Sequence, residues 1–157
     1  MEQSQMAAIY DRWKNTVYRT ALVYCRNVQD AEDITHDVFL IRFTRAPELP
    51  DENAEKAWLL RVTVNRCKNL LKSFHRSKSV SLDAALQICE TQQEHTVFDA
   101  VQELPAKYRV VVHLYYYEGY SVGEIAKITR RSETAVQTQL FRARKLLKAA
   151  LGEEFES

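Results

Sequence analysis

Apolar residues recur at helical spacing in three stretches of the first half of the chain. The first stripe predicts a helix from about residue 4 to about residue 27. The second begins near Asp30, a residue able to cap a helix, and carries acids in its first turn, where the helix dipole favours them. The stripe residues are Ile9, Trp13, Val17, Ala21 and Tyr24 in the first helix, and Ala31, Ile34, Val38 and Ile41 in the second.

A long third helix is predicted from about Ala54 to His75, after a loop marked by Pro47 and Pro50. Its apolar positions step by four, three, four and three, which indicates one buried seam along a single helix. At about 1.5 Å per residue this helix is roughly 30 Å long. The seam consists of Leu60, Val64, Cys67, Leu71 and Phe74.

The polar segment from Ser77 to about Glu94 loses this regularity, so we interpret it as a linker between two domains. Helical periodicity resumes near Thr96, where Thr96-Val97-Phe98-Asp99 is typical of a helix N-terminus. Pro105 suits the first turn of the next helix, which we expect to stop at Gly119.

A helix-turn-helix pattern follows in the last part of the chain. Ser121 and Glu124 form a capping box for a short helix that ends near Ile128, and Ser132 opens a longer helix after a break of about three residues. In such a unit the second helix enters the major groove of duplex DNA. An αα-hairpin with a solvated charged face is the alternative that the pattern leaves open. The apolar stripe of the last helix is Val136, Leu140, Ala143 and Leu147, and its outer face holds Glu133, Thr134, Gln137, Thr138 and Arg142.

The composition favours an all-α protein of the cytoplasm. With 3 Gly and 3 Pro in 157 residues, the chain has little material for the many tight turns of a β-sandwich or barrel. No apolar run is long enough to span a membrane, and the N-terminus has no signal-peptide pattern. Cys25, Cys67 and Cys89 form no CxxC pair, so we expect reduced thiols rather than disulfides or zinc ligands.

Charge is sorted along the sequence, although the net charge is only +1. Segment 30–37 holds four acids and no Lys or Arg, segment 61–78 six Lys or Arg and no acid, and segment 130–148 six Lys or Arg and one acid. Two basic segments with an acidic one upstream favour an elongated polyanion and a separate protein as partners.

On the third helix, amides alternate with cations on the side opposite the seam. This arrangement suits base reading, phosphate contact and base stacking, but it is also compatible with a plain solvated face. These residues are Trp58, Arg61, Asn65, Lys68, Asn69 and Lys72.

A metal site is the competing hypothesis for the acidic segment. Asp33, His36 and Asp37 share a helix face, which suits a metal ion or a metal-dependent helical enzyme. The neighbouring helices offer no matching inward carboxylate or His, so an exposed acidic face is favoured. Since the sequence also has no Gly-rich phosphate loop, nucleophile elbow or Cys/His pairing, we predict no enzyme, no cofactor, no metal and no small-molecule substrate.

Several motifs resemble the sigma-70 family of RNA polymerase sigma factors, and most closely its extracytoplasmic-function (ECF) branch. They follow the family's order and cover the chain from about residue 9 to about residue 150. The motifs are DAEDITHDVF from Asp30, AWLLRVTVN from Ala57, Leu104-Pro105, Glu124-Ile125-Ala126 and LFRAR from Leu140.

The resemblance implies an all-α fold of two small helical domains: a sigma region 2 bundle at residues 1–76, a linker at 77–95 and a region 4 helix-turn-helix at 96–152. It implies a transcription initiation factor that binds core RNA polymerase, directs it to specific promoters and assists promoter opening. The implied partners are the β′ clamp helices and β flap of the polymerase, promoter DNA, and an anti-sigma factor clamped between the two domains. The alternative is a helix-turn-helix regulator that binds duplex DNA without polymerase.

The resemblance also implies roles for individual residues. Core polymerase binding falls to Asp33, His36, Asp37 and Phe39, and recognition and melting of the −10 element to Trp58, Arg61, Asn65, Lys68 and Asn69. Reading of the −35 element falls to Gln137, Thr138, Phe141 and Arg142, with phosphate contacts from Tyr120, Ser121, Arg131, Arg144 and Lys145.

Four positions depart from the family pattern. His36 replaces a usual Gln, which we expect either to alter polymerase docking slightly or to make it sensitive to pH. Arg130 stands where the turn usually has Gly, so its backbone conformation is expected to be unfavourable. Gln137 and Gln139 replace commonly basic residues, which weakens the expected attraction for phosphates.

Overall fold

Seven α-helices and one π-helical turn make up the described parts of the chain, which contain no strand. The computed structural model describes residues 1–73 and 92–152, with side chains from residue 97 onward in the second range. The predicted all-α fold is therefore confirmed. The elements are α1 (Gln3–Cys25), α2 (Val28–Arg45), α3 (Glu52–Ser73), α4 (Gln92–Gln102), α5 (Ala106–Val112), the π turn (His113–Tyr117), α6 (Val122–Thr129) and α7 (Glu133–Leu151).

The chain divides into two compact units, Met1–Ser77 and Lys78–Ser157. Most of the segment interpreted as a linker lies outside the described residues, so the predicted domain limits stay a prediction. None of the described helices combines the length and the apolar content needed to cross a bilayer.

The first unit is a bundle of three helices, each of which packs on the other two. Its core is built from the predicted stripes, because residues spaced by three and four positions share one face of a helix. The buried stripe residues are Val17, Ala21, Tyr24, Ala31, Ile34, Val38, Leu60, Val64 and Cys67. Four stripe residues are half-buried, namely Ile9, Trp13, Ile41 and Leu71, and Phe74 lies outside the described residues.

A buried carboxylate joins the three helices of this bundle. The indole Nε1 of Trp13, on α1, donates to Oε1 of Glu55, on α3, at 2.8 Å. Arg42, on α2, donates to the other carboxylate oxygen from Nε at 3.2 Å and from Nη2 at 2.6 Å. The side chains of Arg42 and Glu55 are 11% and 8% exposed. Since donors from two helices hold the carboxylate of the third, its charge is compensated inside the bundle.

Two cysteine thiols also meet in this core. Cys25, the last residue of α1, and Cys67, on α3, are both buried and hydrogen-bond with one another. Burial, followed by the contact with Cys25, raises the pKa of the Cys67 thiol well above its usual range. Cys67 is therefore a neutral thiol that fills space between two helices.

The connection between α1 and α2 differs from the expectation that Asp30 caps α2. Asn27 is the cap, because its side-chain oxygen accepts a hydrogen bond from the backbone N–H of Asp30 at 2.9 Å. Arg26 ends α1 in the left-handed conformation, at φ 58°, and this places extended Asn27 directly before the first residue of α2. Asp30 consequently lies inside the first turn, where it is buried.

The second unit packs its other helices against α7. The predicted stripe of α7 is buried over its whole length, at Val136, Leu140, Ala143 and Leu147. After α5 the helix continues as the π turn. At this turn His113 Nε2 lies 3.0 Å from Glu118 Oε2. The helical run then stops as predicted at Gly119, which adopts φ 77°.

The predicted start of α4 near Thr96 is wrong. The helix already includes Gln92, so Thr96 lies within it. Residues 92–95 are Gln, Gln, Glu and His, all of which a helix accommodates. The apolar pattern places the start too late because these polar residues carry no periodic signal.

We expect the substitution Glu55→Ala to lower the free energy of unfolding of the first unit by about 3–5 kcal/mol, because it leaves the buried guanidinium of Arg42 without its carboxylate. Glu52→Ala is the matched control, since Glu52 also lies in the first turn of α3 but its side chain is 68% exposed, so its ion pair with Arg12 is worth less than about 1 kcal/mol. Urea unfolding followed by tryptophan fluorescence measures both, because Trp13 and Trp58 lie in the first unit. Equal losses in the two variants would contradict the role of Glu55.

Candidate protein and nucleic-acid interfaces

The acidic face of α2 is exposed at three of its four predicted residues. Asp33, His36 and Asp37 are all solvent-exposed on the side of α2 away from the core. Phe39 differs, because it is 4% exposed and its ring lies edge-on to that of Tyr10, with centroids 5.0 Å apart. Phe39 therefore packs beneath the acidic face and is not part of its exposed surface. Within the described residues, no group of three or more His, Cys, Asp or Glu is arranged to hold a metal ion.

A groove of about 580 Å³ lies between α1 and α2, and His36 and Glu32 belong to its lining. Its walls include Tyr10, which is 42% exposed, and Leu40, which is 55% exposed. Neither residue is singled out by the helical stripes or the charge pattern, although Leu40 is an apolar residue outside the buried stripe. Burial, followed by the charge of Glu32, raises the pKa of the Tyr18 phenol in the same groove. A groove with apolar walls and both a carboxylate, at Glu32, and an ammonium, at Lys14, suits an amphipathic protein segment.

The predicted basic face of α3 points away from the seam. Arg61, Asn65 and Asn69 are exposed, while Trp58 and Lys68 are half-buried. Every residue of this set is thus at least partly accessible, and the whole set lies on one rigid helix that the buried Glu55 fixes to α1 and α2. Such a face offers cations for phosphates and amides for base edges.

The helix-turn-helix forms as the capping residues predict. The backbone N–H of Ser121 donates to Glu124 Oε1 at 2.9 Å, and the backbone N–H of Glu124 donates to Ser121 Oγ at 3.2 Å. The hydrogen bonds that the Glu124 carboxylate receives from Ser121, first from its backbone and then from its side chain, lower the pKa of this carboxyl. Ser132 caps α7 by accepting from the backbone N–H of Ala135 at 3.0 Å. Ser121 is exposed, and its expected contact with a phosphate stays a prediction.

The turn between α6 and α7 places its two arginines differently. Arg130 adopts the left-handed conformation predicted from the missing glycine, at φ 58°, and is exposed. Arg131 is half-buried, and its Nη1 donates to the carbonyl of Lys107 and to Oε1 of Gln139, both at 3.0 Å. Gln139 thus accepts a hydrogen bond at a position where the resemblance expects a basic residue. Arg131 holds the turn to α5 and α7.

The outer face of α7 is exposed at all four residues expected to read bases, which are Gln137, Thr138, Phe141 and Arg142. Phe141 is 57% exposed, and the ammonium of Lys145 lies 4.7 Å from the centre of its ring. Arg144 donates from Nε to the hydroxyl of Tyr116 at 2.7 Å, and its expected contact with phosphate stays a prediction.

Tyr120 remains a hydrogen-bond donor at neutral pH. Burial, followed by the charges of Glu118 and Glu124, raises the pKa of its phenol to about 12. Because the phenol keeps its proton, it carries no negative charge that would repel a phosphate.

Two family models match most of the chain. The model of sigma-70 region 2 matches residues 9–77, and the model of sigma-70 region 4 matches residues 95–147. The first match covers α1 from residue 9 onward together with α2 and α3, and the second covers the helix-turn-helix up to residue 147.

Relatives of known function are similar to the chain at low identity. RNA polymerase sigma factor SigV of Bacillus subtilis is 25% identical over 145 residues, which cover 90% of this chain and 87% of SigV. ECF RNA polymerase sigma factor SigL of Mycobacterium tuberculosis is 27% identical over 163 residues, which cover 97% of this chain and 92% of SigL. The protein named "Probable RNA polymerase sigma factor RfaY", from Xanthomonas campestris pv. campestris, is 28% identical over 170 residues, and the chain spans 42% of its length.

Two solved structures share the fold. Sigma factor RpoE, in complex with the anti-sigma factor NepR from Bartonella quintana, superposes with a TM-score of 0.75 at 18% identity, covering 93% of this chain and 96% of RpoE. CnrH, in complex with the cytosolic domain of CnrY, gives a TM-score of 0.67 at 22% identity, covering 98% of this chain and 92% of CnrH.

We expect Ser121→Ala to destabilise α6 by about 1 kcal/mol, because the backbone N–H of Glu124 loses its acceptor. Ser121→Asp is the matched control, since Asp caps a helix as well as Ser does and adds a favourable charge at the N-terminus. Hydrogen exchange of peptides from residues 122–129 measures the difference. Equal protection in Ser121→Ala and the unaltered chain would contradict the capping role.

Proposed function

The chain belongs to the sigma-70 family of RNA polymerase sigma factors, in its ECF branch, and from this we propose how its surfaces act in transcription initiation. A transcription initiation factor of this family binds core RNA polymerase and directs it to promoters. In our proposal the two units carry different contacts, and the chemistry of RNA synthesis is left to the polymerase. The protein therefore acts in the cytoplasm, where the polymerase is.

We propose that α2 docks on the β′ clamp helices of the polymerase. Asp33, His36 and Asp37 supply an exposed polar face that carries two carboxylates, and the adjoining groove supplies apolar surface at Leu40. Carboxylates at the rim steer a basic partner and fix its register, while burial of apolar side chains supplies affinity. Phe39 contributes by holding Tyr10 at the groove wall.

We propose that the exposed face of α3 recognises and opens the −10 element. Arg61 and Lys68 are suited to hold the phosphates of a separated strand, and Asn65 and Asn69 to hydrogen-bond base edges. Trp58, half-buried near the start of the helix, offers aromatic surface on which an unpaired base can stack. Extrusion of a base costs a few kcal/mol, which such contacts offset.

We propose that α7 reads the −35 element in the major groove. Gln137, Thr138, Phe141 and Arg142 form its outward face, and the phenol of Tyr120 and the hydroxyl of Ser121 serve as phosphate donors near α6. Lys145 adds a cation on the same helix. As further partners we propose the β flap and an anti-sigma factor, the latter because the similar RpoE structure contains one.

One observation carries this proposal: each charged face predicted from the sequence is turned away from the core of its own unit. An acidic face and a basic face lie on two helices of the first unit, and the DNA-reading face lies on the second unit. A single chain can therefore contact a protein and two segments of a promoter with separate surfaces.

The proposed function predicts promoter-specific transcription by core RNA polymerase only when the chain is added. Run-off assays on a library of genomic fragments, including the DNA upstream of its own gene, test this directly. Core polymerase without the chain is the control. If the chain binds duplex DNA tightly and specifically but never directs initiation, the protein is a helix-turn-helix regulator instead.

We expect Asp33→Arg to weaken binding to core polymerase at least tenfold, because it replaces attraction to a basic partner by repulsion at the interface. Glu48→Arg makes the same charge change in an exposed loop residue outside the docking face and should leave the affinity unchanged. Fluorescence anisotropy of the labelled chain titrated with core polymerase measures both. Circular dichroism checks that both variants fold. Unchanged affinity of Asp33→Arg removes this residue from the docking surface.

A further inference from the structure

The first half of the DNA-reading helix lacks positive charge. Residues 133–141 of α7 contain no Lys or Arg, and their one charged side chain is the acidic Glu133. In a helix-turn-helix the N-terminal end of the second helix enters the groove, close to the phosphates that border it. Those phosphates need a cation, and α7 provides its own only from Arg142 onward.

Two cations near this end of α7 have other contacts. Arg131 is half-buried and donates to the Lys107 carbonyl and to Gln139, so it links the turn to α5 and α7 within the second unit. Lys127 lies in the last turn of α6, one helical turn from Glu124, whose pKa is lowered first by the hydrogen bonds from Ser121 and to a smaller extent by the charge of Lys127.

Arg130 is the remaining cation of the turn, and it is exposed. Within the described residues its side chain makes no hydrogen bond or ion pair. Its backbone adopts φ 58° and ψ 43°, a conformation that glycine or asparagine adopts at lower cost. A left-handed arginine whose side chain stabilises nothing in its own unit indicates a role outside it.

We propose that Arg130 is the phosphate-contacting arginine of the turn, and that Arg131 is a positioning residue that sets α7 against α5. This inference rests on the proposed function, since it assigns a contact within the −35 interface. It reverses the assignment that the resemblance implies for Arg131. It also explains how the interface tolerates Gln137 and Gln139, because the turn supplies the charge that α7 lacks.

The test compares Arg130→Asn with Arg131→Gln in the holoenzyme. The probe is a promoter fragment that the unaltered holoenzyme transcribes in the run-off assay, and affinity is measured over a series of salt concentrations. For Arg130→Asn, the slope of log affinity against log salt should be about 0.9 less steep, so the affinity deficit grows roughly eightfold for each tenfold fall in salt. Arg130→Lys keeps the charge and should keep the slope. Asn suits the left-handed conformation, so Arg130→Asn should not lower the melting temperature.

Arg131→Gln should show the opposite pattern. Its salt slope should match that of the unaltered chain, while the second unit melts at a lower temperature and discrimination between −35 sequences falls. A flattened slope for Arg131→Gln together with an unchanged slope for Arg130→Asn overturns the inference. An unchanged slope for Arg130→Asn alone also overturns it. If the unaltered holoenzyme transcribes no fragment, the proposed function fails first, and the two failures are thus distinguishable.

Discussion

The buried carboxylate of Glu55 is the constraint on which the first unit depends. It receives hydrogen bonds from Trp13 and Arg42, so one acidic group fixes the rotation of all three helices. A charge removed from water is tolerated only with its donors in place, and this makes the arrangement strongly cooperative. Because the three helices cannot rotate independently, the acidic face of α2 and the basic face of α3 keep fixed directions.

Much of the fold follows from local sequence rules. The stripe of α7 and the caps at Ser121 and Ser132 are each specified by a few neighbouring residues, and the structure confirms them. The cap of α2 is not local in this sense, because it depends on where α1 ends, which the left-handed Arg26 determines. The burial of Glu55 cannot be predicted from local sequence either, since a single acid in a helix normally faces solvent.

The sequence predicts which helix faces of the candidate site are exposed, but it does not predict which contacts the arginines on those faces make. Periodicity separates the inner from the outer side of a helix, so the exposure of Asp33, Asn65 and Gln137 follows from the stripes. Whether an outer arginine reaches solvent or a neighbouring carbonyl depends on the tertiary structure. Arg131 and Arg144 both donate within the second unit, which the sequence does not reveal. The groove beside Leu40 is likewise formed by two helices together.

The paired thiols of Cys25 and Cys67 have a practical consequence for following the dynamics of the first unit. Both are inaccessible to an alkylating reagent in the native fold, and burial of Cys67 disfavours its reactive thiolate. In a chain with Cys89→Ser, alkylation must therefore wait for α1 and α3 to separate. At high reagent concentration the modification rate becomes the opening rate of the bundle, so Cys25 and Cys67 report how fast α1 and α3 separate without any introduced label site.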